Sequence, residues 1–565
     1  MTKSIASIGN VLVVFLFVLC LGTACKNEKK PQEKNTDVVL WSPYNDSTEV
    51  AANAEHENDR MRYKLIQSKV LDKNDVFRPL YNEVSQFSEE RYEQIKPLVL
   101  EQDIPTIQGH IEAEKLTYEE LALFYLKRIY KYELDNSTTL NTVIALNPNV
   151  LNEARKLDKD KKGLHPIYGM PILLKDNIGT QNMKTTAGAI ALQHNTTDNA
   201  FIVNRLKENG ALILGKVNLS EWAYFLCSGC PVGYSAVGGQ TLNPYGRRIF
   251  ETGGSSSGSG TSIAANYAVA AVGTETSGSI LSPSSQNSVV GLKPTIGLLS
   301  RTGIVPISST LDTPGPMTKN VSDNAILLSA MMGHDYDDKA STRENFSGIF
   351  TSGERPIPLN EVRLGVFKNL MEGDSIYKAT IEKLKNAGAK IVEFTPPEVQ
   401  MNGFLSILNI DMKNDLPDYI DSQIQDKDAV KITSIADAVA FNKQDSLVRI
   451  PYGQALFEGI LADSTTAEGL AEIKNTLEQN GRLYFNDTMK KHDLDAILSI
   501  NNYHAGYAAV AKYPALTIPM GYKKTGEPIS LTFIGKQFSE GSLLRMGKSF
   551  EDLTKVRRQP EGYKE

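Results

Sequence analysis

Residues Glu251 to Pro283 read ETGGSSSGSGTSIAANYAVAAVGTETSGSILSP. Two clusters of glycine and serine enclose a small-residue segment, Ile263 to Tyr267, that reads as helix. Between that helix and the second cluster, Ala268 to Gly273 (AVAAVG) reads as a buried strand. A Gly/Ser run alone is the composition of a flexible linker. A linker does not run straight into a buried helix and strand, however, and here the second cluster, Thr276-Ser-Gly-Ser279, repeats the chemistry of the first. Glycines at such turns free backbone N–H groups to point into a site, and serines place hydroxyls beside them.

Outward from this stretch the same alternation continues. Upstream, Gly169-Met-Pro-Ile-Leu-Leu-Lys175-Asp176-Asn177 puts a lysine at the end of an apolar strand. Most lysines are solvated, but one that follows four apolar residues is a candidate for a partly buried amine. Leu116 to Tyr132 has apolar residues at helical spacing, with Thr117 and Glu120 set for a capping box. Asn199 to Asn209 is a second amphipathic helix, stopped by Gly210 and followed by the strand Ala211 to Gly215. Downstream come strand Val362 to Val366, helix Ser375 to Gly388 and strand Ala389 to Phe394. Late strands run over Ala515 to Gly521 and Ile529 to Gly535. Helices interleaved with short apolar strands predict an α/β layer fold.

Lys175 in PILLKDN, Ser255 in GGSSSGS and Ser279 in GTETSGSI together resemble the Ser–cis-Ser–Lys triad of the amidase signature enzymes, including the separation of 24 residues between the serines. Flanking motifs agree in order: Asn218 to Trp222, Gly238 to Pro244, Gly291 to Pro294, Asp312 to Met317 and Tyr513 to Pro519. The resemblance covers about residues 104 to 555. It is nearest to the branch of bacterial peptide amidases, which carry GTET before the nucleophile and DTPGPM downstream. Leu281 stands where many other members have arginine, and Ser277 where Asp or Gly is usual. The resemblance implies one α/β domain, a central mixed sheet covered by helices on both faces.

It also implies roles. Ser279 is the expected nucleophile, Ser255 the bridge and Lys175 the base, with a cis Gly254–Ser255 peptide. The backbone N–H groups of Thr276, Ser277, Gly278 and Ser279 form the expected oxyanion hole. For the lysine to accept a proton, burial must bring its pKa from about 10.4 down to about 7–8. Met183, Trp222, Tyr224 and Asp312 are the candidate pocket residues, and the 400–460 region, which matches the family poorly, is a further candidate wall. None of the seven histidines stands in a nucleophile-elbow setting, and no HExxH or paired-carboxylate motif points to a metal or glycosidase site. No cofactor or metal is expected. The expected substrate is a small-molecule or short-peptide amide. An esterase or fatty-acid amide hydrolase with the same triad, a non-catalytic binding lipoprotein and the amidase component of a tRNA-dependent amidotransferase are the alternatives.

The chain's 565 residues, 41% hydrophobic and 22% charged, are those of an ordinary globular protein, and a net charge of −6 argues against nucleic acid as a partner. At the start, Lys3 precedes an apolar run, Val11 to Leu21, too short to span a bilayer comfortably. It ends in Leu21-Gly-Thr-Ala-Cys25, which resembles a bacterial lipobox with Cys25 as the lipidated residue. The expected organisation is a signal peptide over 1–24, a polar tether over 25–60, a helical extension over 61–103 and the catalytic domain over 104–555. A linker or insertion over 335–358 lies within that domain. The expected location is the periplasm or cell surface, with membrane contact through the lipid anchor alone. Cys227 and Cys230 read as a disulfide or as two buried thiols.

Overall fold

The computed structural model describes residues 38–160, 163–342 and 355–565. Thirteen strands are present among them. They are Val143–Leu146 (β1), Pro171–Lys175 (β2), Leu212–Val217 (β3), Tyr234–Ser235 (β4), Gly239–Gln240 (β5), Ala270–Glu275 (β6) and Val290–Lys293 (β7). Thr313–Thr318 (β8), Arg363–Phe367 (β9), Lys390–Phe394 (β10), Ala496–Ile500 (β11), Ala515–Tyr522 (β12) and Pro528–Ile534 (β13) follow. All but the β4–β5 ribbon join one sheet in the order β1-β3-β2-β6-β8-β7-β12-β13-β11-β9-β10. The sheet is mixed. β2 runs parallel to β3 and β6, and β9 parallel to β10 and β11, while the centre from β6 to β13 is antiparallel.

Successive strand residues point to opposite faces. All six residues of β3 and of β6 are buried, so both faces of the sheet are covered there. β10, at one edge, leaves Lys390 and Glu393 exposed, which discourages pairing with another chain. Thr117 caps the helix Tyr118–Glu133 by the reciprocal bonds read from the sequence: its Oγ1 accepts the Glu120 N–H, and the Glu120 carboxylate accepts the Thr117 N–H.

The first Gly/Ser cluster is helical earlier than its composition indicates. Ser257–Ala264 is a buried α-helix. Glycine is used there for close approach rather than flexibility. A Cβ on Gly258 would lie 2.4 Å from the Asn218 carbonyl oxygen, and one on Gly260 2.8 Å from that of Pro283. The hydroxyls are satisfied locally, Ser257 donating to Gly253 O, Ser259 to Val272 O and Thr261 to Ser257 O.

The expected segmentation needs two changes. The polar tether does not extend to residue 60: the Leu40 and Trp41 N–H groups donate to Asn74 Oδ1, and residues from Val39 to Glu565 group as one compact unit. Nor is the start of the 335–358 segment a free linker. Ser300 donates to Asp335, and Arg301 forms a salt bridge with Asp338. Residues 343–354 lie outside the described residues, as does the whole expected signal and lipidation segment, Cys25 included.

Arg128, fully buried, joins distant parts of the chain. Its guanidinium donates to the Ala265, Asn266, Tyr563 and Glu565 carbonyls and to the Tyr92 hydroxyl. Arg128→Ala leaves the Ala265 and Asn266 carbonyls without their donor and opens a cavity, while Gln559 and Tyr132 still donate to the Tyr563 and Glu565 carbonyls. The expected cost is about 3–5 kcal/mol, seen as a lower urea midpoint. A shift below about 1 kcal/mol would show that water replaces the guanidinium without penalty.

Candidate active site

β2 and β6 are parallel neighbours, so their C-terminal ends emerge on the same side of the sheet, where open α/β sheets bind ligands. Lys175 ends β2 and Glu275 ends β6. The turn Thr276–Ser279 follows directly, and Ser255 approaches it from the segment before helix Ser257–Ala264. The Ser256 N–H donates to the Ser279 carbonyl (3.1 Å), which stitches the two serine segments together. The Gly254–Ser255 peptide is cis.

Lys175 is fully buried. Its Nζ lies 2.8 Å from Ser255 Oγ, 2.8 Å from Thr274 Oγ1 and 3.1 Å from Thr274 O. A neutral amine has two hydrogens and one lone pair. With the hydrogens on the two Thr274 oxygens, the lone pair faces the Ser255 hydroxyl. Burial favours that neutral form and holds the pKa at about 7, against the pull of the Asp312 and Glu275 carboxylates. Ser255 is fully buried as well, whereas Ser279 is only half-buried and so open to a substrate.

The turn is shaped from below. One Glu275 carboxylate oxygen accepts the Ile280 and Leu281 N–H groups, at 2.7 and 3.0 Å. Thr276 Oγ1 donates to Asp312 Oδ1 (2.5 Å), whose other oxygen accepts the Ile307 and Ser308 N–H groups. Among the described residues, the N–H groups of Thr276, Ser277, Gly278 and Ser279 donate to no protein acceptor. Four consecutive free donors beside a hydroxyl make a preformed anion cradle. Gly278 has φ of 90°, and a Cβ there would also lie 2.9 Å from Asn502 Nδ2, so both conformation and space call for glycine.

The expected pocket residues have the following surroundings. Trp222 is buried against Phe457 (ring centroids 5.2 Å apart), in a hydrophobic cluster with the helices of residues 404–492. Met183 belongs to the main core. The Tyr224 hydroxyl donates to Cys230 O, beside the Cys227–Cys230 disulfide. Asp312 directs both carboxylate oxygens to protein donors and so props the turn. The Trp222 ring and the Met183 side chain gain from packing, although the buried Trp222 Nε1–H has no protein acceptor among the described residues.

One charged group escaped the sequence reading. Lys216, next to last in β3, is fully buried 3.5 Å from Asp176, and burial lowers its pKa to about 8. Asp176 in turn accepts the Thr186 N–H and hydroxyl, so the residue beside Lys175 is held on both sides. The signal was present: Lys216 follows apolar residues in a strand, as Lys175 does. His504 is stacked on Phe367 at 3.9 Å and shares a 2.6 Å hydrogen bond with Ser499, an aromatic packing role rather than a place in a triad.

The family model described as Amidase matches residues 120–499. A probable amidase of Arabidopsis thaliana is 35% identical over 82% of this chain and 92% of its own. A glutamyl-tRNA(Gln) amidotransferase chain of Caldanaerobacter subterraneus is 31% identical over 80% and 96%. Among solved structures, an amidase family protein from Bacillus anthracis superposes with a TM-score of 0.82 at 36% identity, covering 88% of this chain and all of that one. The native peptide amidase from Stenotrophomonas maltophilia gives 0.75 at 34%, covering 82% and 99%. The site joins a fully buried lysine, the Ser255 hydroxyl it contacts and a turn of free N–H donors that carries Ser279. The chain belongs to the amidase signature family of hydrolases.

Proposed function

We propose that the protein hydrolyses carboxamides through an acyl-enzyme on Ser279, and that its substrate is the C-terminal amide of a short peptide. The observation that carries this reading is the free-donor turn placed beside a buried, neutral-leaning lysine that already contacts Ser255. Ser279 Oγ attacks the amide carbonyl as its proton passes to Ser255 and the Ser255 proton to the Lys175 lone pair. The carbonyl oxygen becomes an oxyanion among the Thr276–Ser279 N–H groups, an environment commonly worth several kcal/mol of barrier. The relay then returns a proton to the leaving amine, the C–N bond breaks, and water repeats the attack on the ester.

The peptide part rests on the likeness to the Stenotrophomonas peptide amidase. We also propose that the chain is exported and lipid-anchored at Cys25. The lipobox-like Leu21 to Cys25 supports this, and so does the Cys227–Cys230 disulfide, since disulfides persist in oxidising compartments. A panel of peptide amides, aryl amides, fatty-acid amides, esters and glutamine, offered to the purified protein, tests the catalytic reading. Peptide amides should be turned over best. Preference for esters or fatty-acid amides would reassign the pocket. No turnover by folded protein, with no labelling of Ser279 by a fluorophosphonate, would overturn the reading.

A further inference from the structure

The segment that follows β11 leans on the oxyanion turn from the other side. Asn501 is clamped to β13: its N–H donates to Ser530 O at 3.0 Å, and its Oδ1 accepts the Ser530 N–H at 2.8 Å. Three residues later the His504 ring is fixed between Phe367 and its Ser499 hydrogen bond. The Tyr503 N–H donates to Ile500 O and the Ala505 N–H to Asn502 O, so the short stretch between the clamps is rigid.

On this platform the Asn502 side chain faces the turn. Its Nδ2 lies 2.9 Å from the position a Cβ on Gly278 would take, and the Cβ position of Gly506 lies 3.8 Å from Ser277 Oγ. Asn502 is half-buried, yet among the described residues its carboxamide neither donates to nor accepts from any protein group. It therefore presents one acceptor and two donors next to the atoms that would hold the oxyanion. A partly desolvated amide on a held backbone favours a ligand that can pair with it and penalises one that cannot.

We infer that Asn502 is a substrate-binding residue that selects acyl groups carrying a backbone amide beside the scissile carboxamide, that is, peptide amides over alkyl or aryl-alkyl amides. This rests on the reading of the site as an amidase. A substrate's own –CO–NH– group offers the matching acceptor and donor, whereas a hydrocarbon acyl chain leaves the Asn502 amide unpaired when it displaces water.

The test compares N-acetyl-phenylalaninamide with 3-phenylpropanamide, which keeps the ring and the scissile amide but lacks the acetamido group. Wild type should prefer the first by about tenfold or more in kcat/KM. Asn502→Ala should lose about 10–50-fold on N-acetyl-phenylalaninamide, chiefly through KM, and change less than about threefold on 3-phenylpropanamide. Asn502→Asp, which keeps size and acceptors but loses the donors, reports which half of the amide recognises substrate and guards against a packing defect in the alanine variant. Equal losses on both substrates, or losses in kcat alone, would make Asn502 a structural prop of the turn and overturn the inference. Wild type that hydrolyses both amides without preference would also overturn it and leave the amidase reading standing. Hydrolysis of neither amide, nor of any other, would remove the amidase reading and this inference with it.

Discussion

Ser279→Ala should lower kcat for amide hydrolysis by about five orders of magnitude while the protein keeps its fold and substrate affinity. The hydroxyl is the only part removed. Ser279 is half-buried, and its carbonyl, not its side chain, ties it to Ser256, so the alanine costs little stability. What is lost is the bond-forming atom. The free N–H groups of Thr276 to Ser279 remain and should still polarise a bound carbonyl, leaving a residual rate above that of water alone. KM should therefore change little, and the unfolding free energy from urea titration should stay within about 0.5 kcal/mol of wild type. A loss of only tenfold to a hundredfold would mean that another group attacks and that the turn merely positions substrate.

The parts of this site that were legible in the sequence are those whose chemistry demands unusual composition. A turn with four unpaired donors needs glycine and small residues, and a fully buried lysine sits at the end of an apolar strand. Both leave marks: TSGS after AVAAVG, and KDN after PILL. The helix Tyr118–Glu133 and strands β9, β10, β12 and β13 were equally readable, since capping pairs and short apolar runs are local signals. The sheet order was not. That β7 pairs with β12, more than 200 residues away, follows from burying two faces at once and has no local signature. The pocket was not readable for a related reason. Trp222 and Met183 look the same in a sequence whether they line a cavity or pack in a core, and the 400–460 region matches the family too poorly to say what it covers. Asn502 left no trace, because an unpaired asparagine becomes informative only once its neighbours are known.

Lys175→Ala should lower kcat by about 10^4-fold, and adding it to Ser279→Ala should lower the rate no further, because a relay acts as one unit. Lys175→Arg should be nearly as inactive. A guanidinium fills the site and keeps the charge, but it has no lone pair to take the Ser255 proton. The pH dependence supplies the sharper check. Burial holds the Lys175 amine at about 7, below its usual 10.5. In wild type, kcat/KM should rise with pH through an apparent pKa near 7, since the protonated amine below it cannot act as base. The variants should lose that limb. Stability carries the same signature with its sign fixed. A group whose folded pKa is depressed contributes stability above its unfolded pKa and loses it as pH falls towards the folded value. Lys175→Met, which removes the titrating group but fills the space, should therefore gain on wild type as pH drops from about 10 to about 7, with no further gain below. A flat difference across that window, or an activity limb unchanged in Lys175→Ala, would mean that the lysine stays charged in its burial site and that the proton leaves Ser255 by another route.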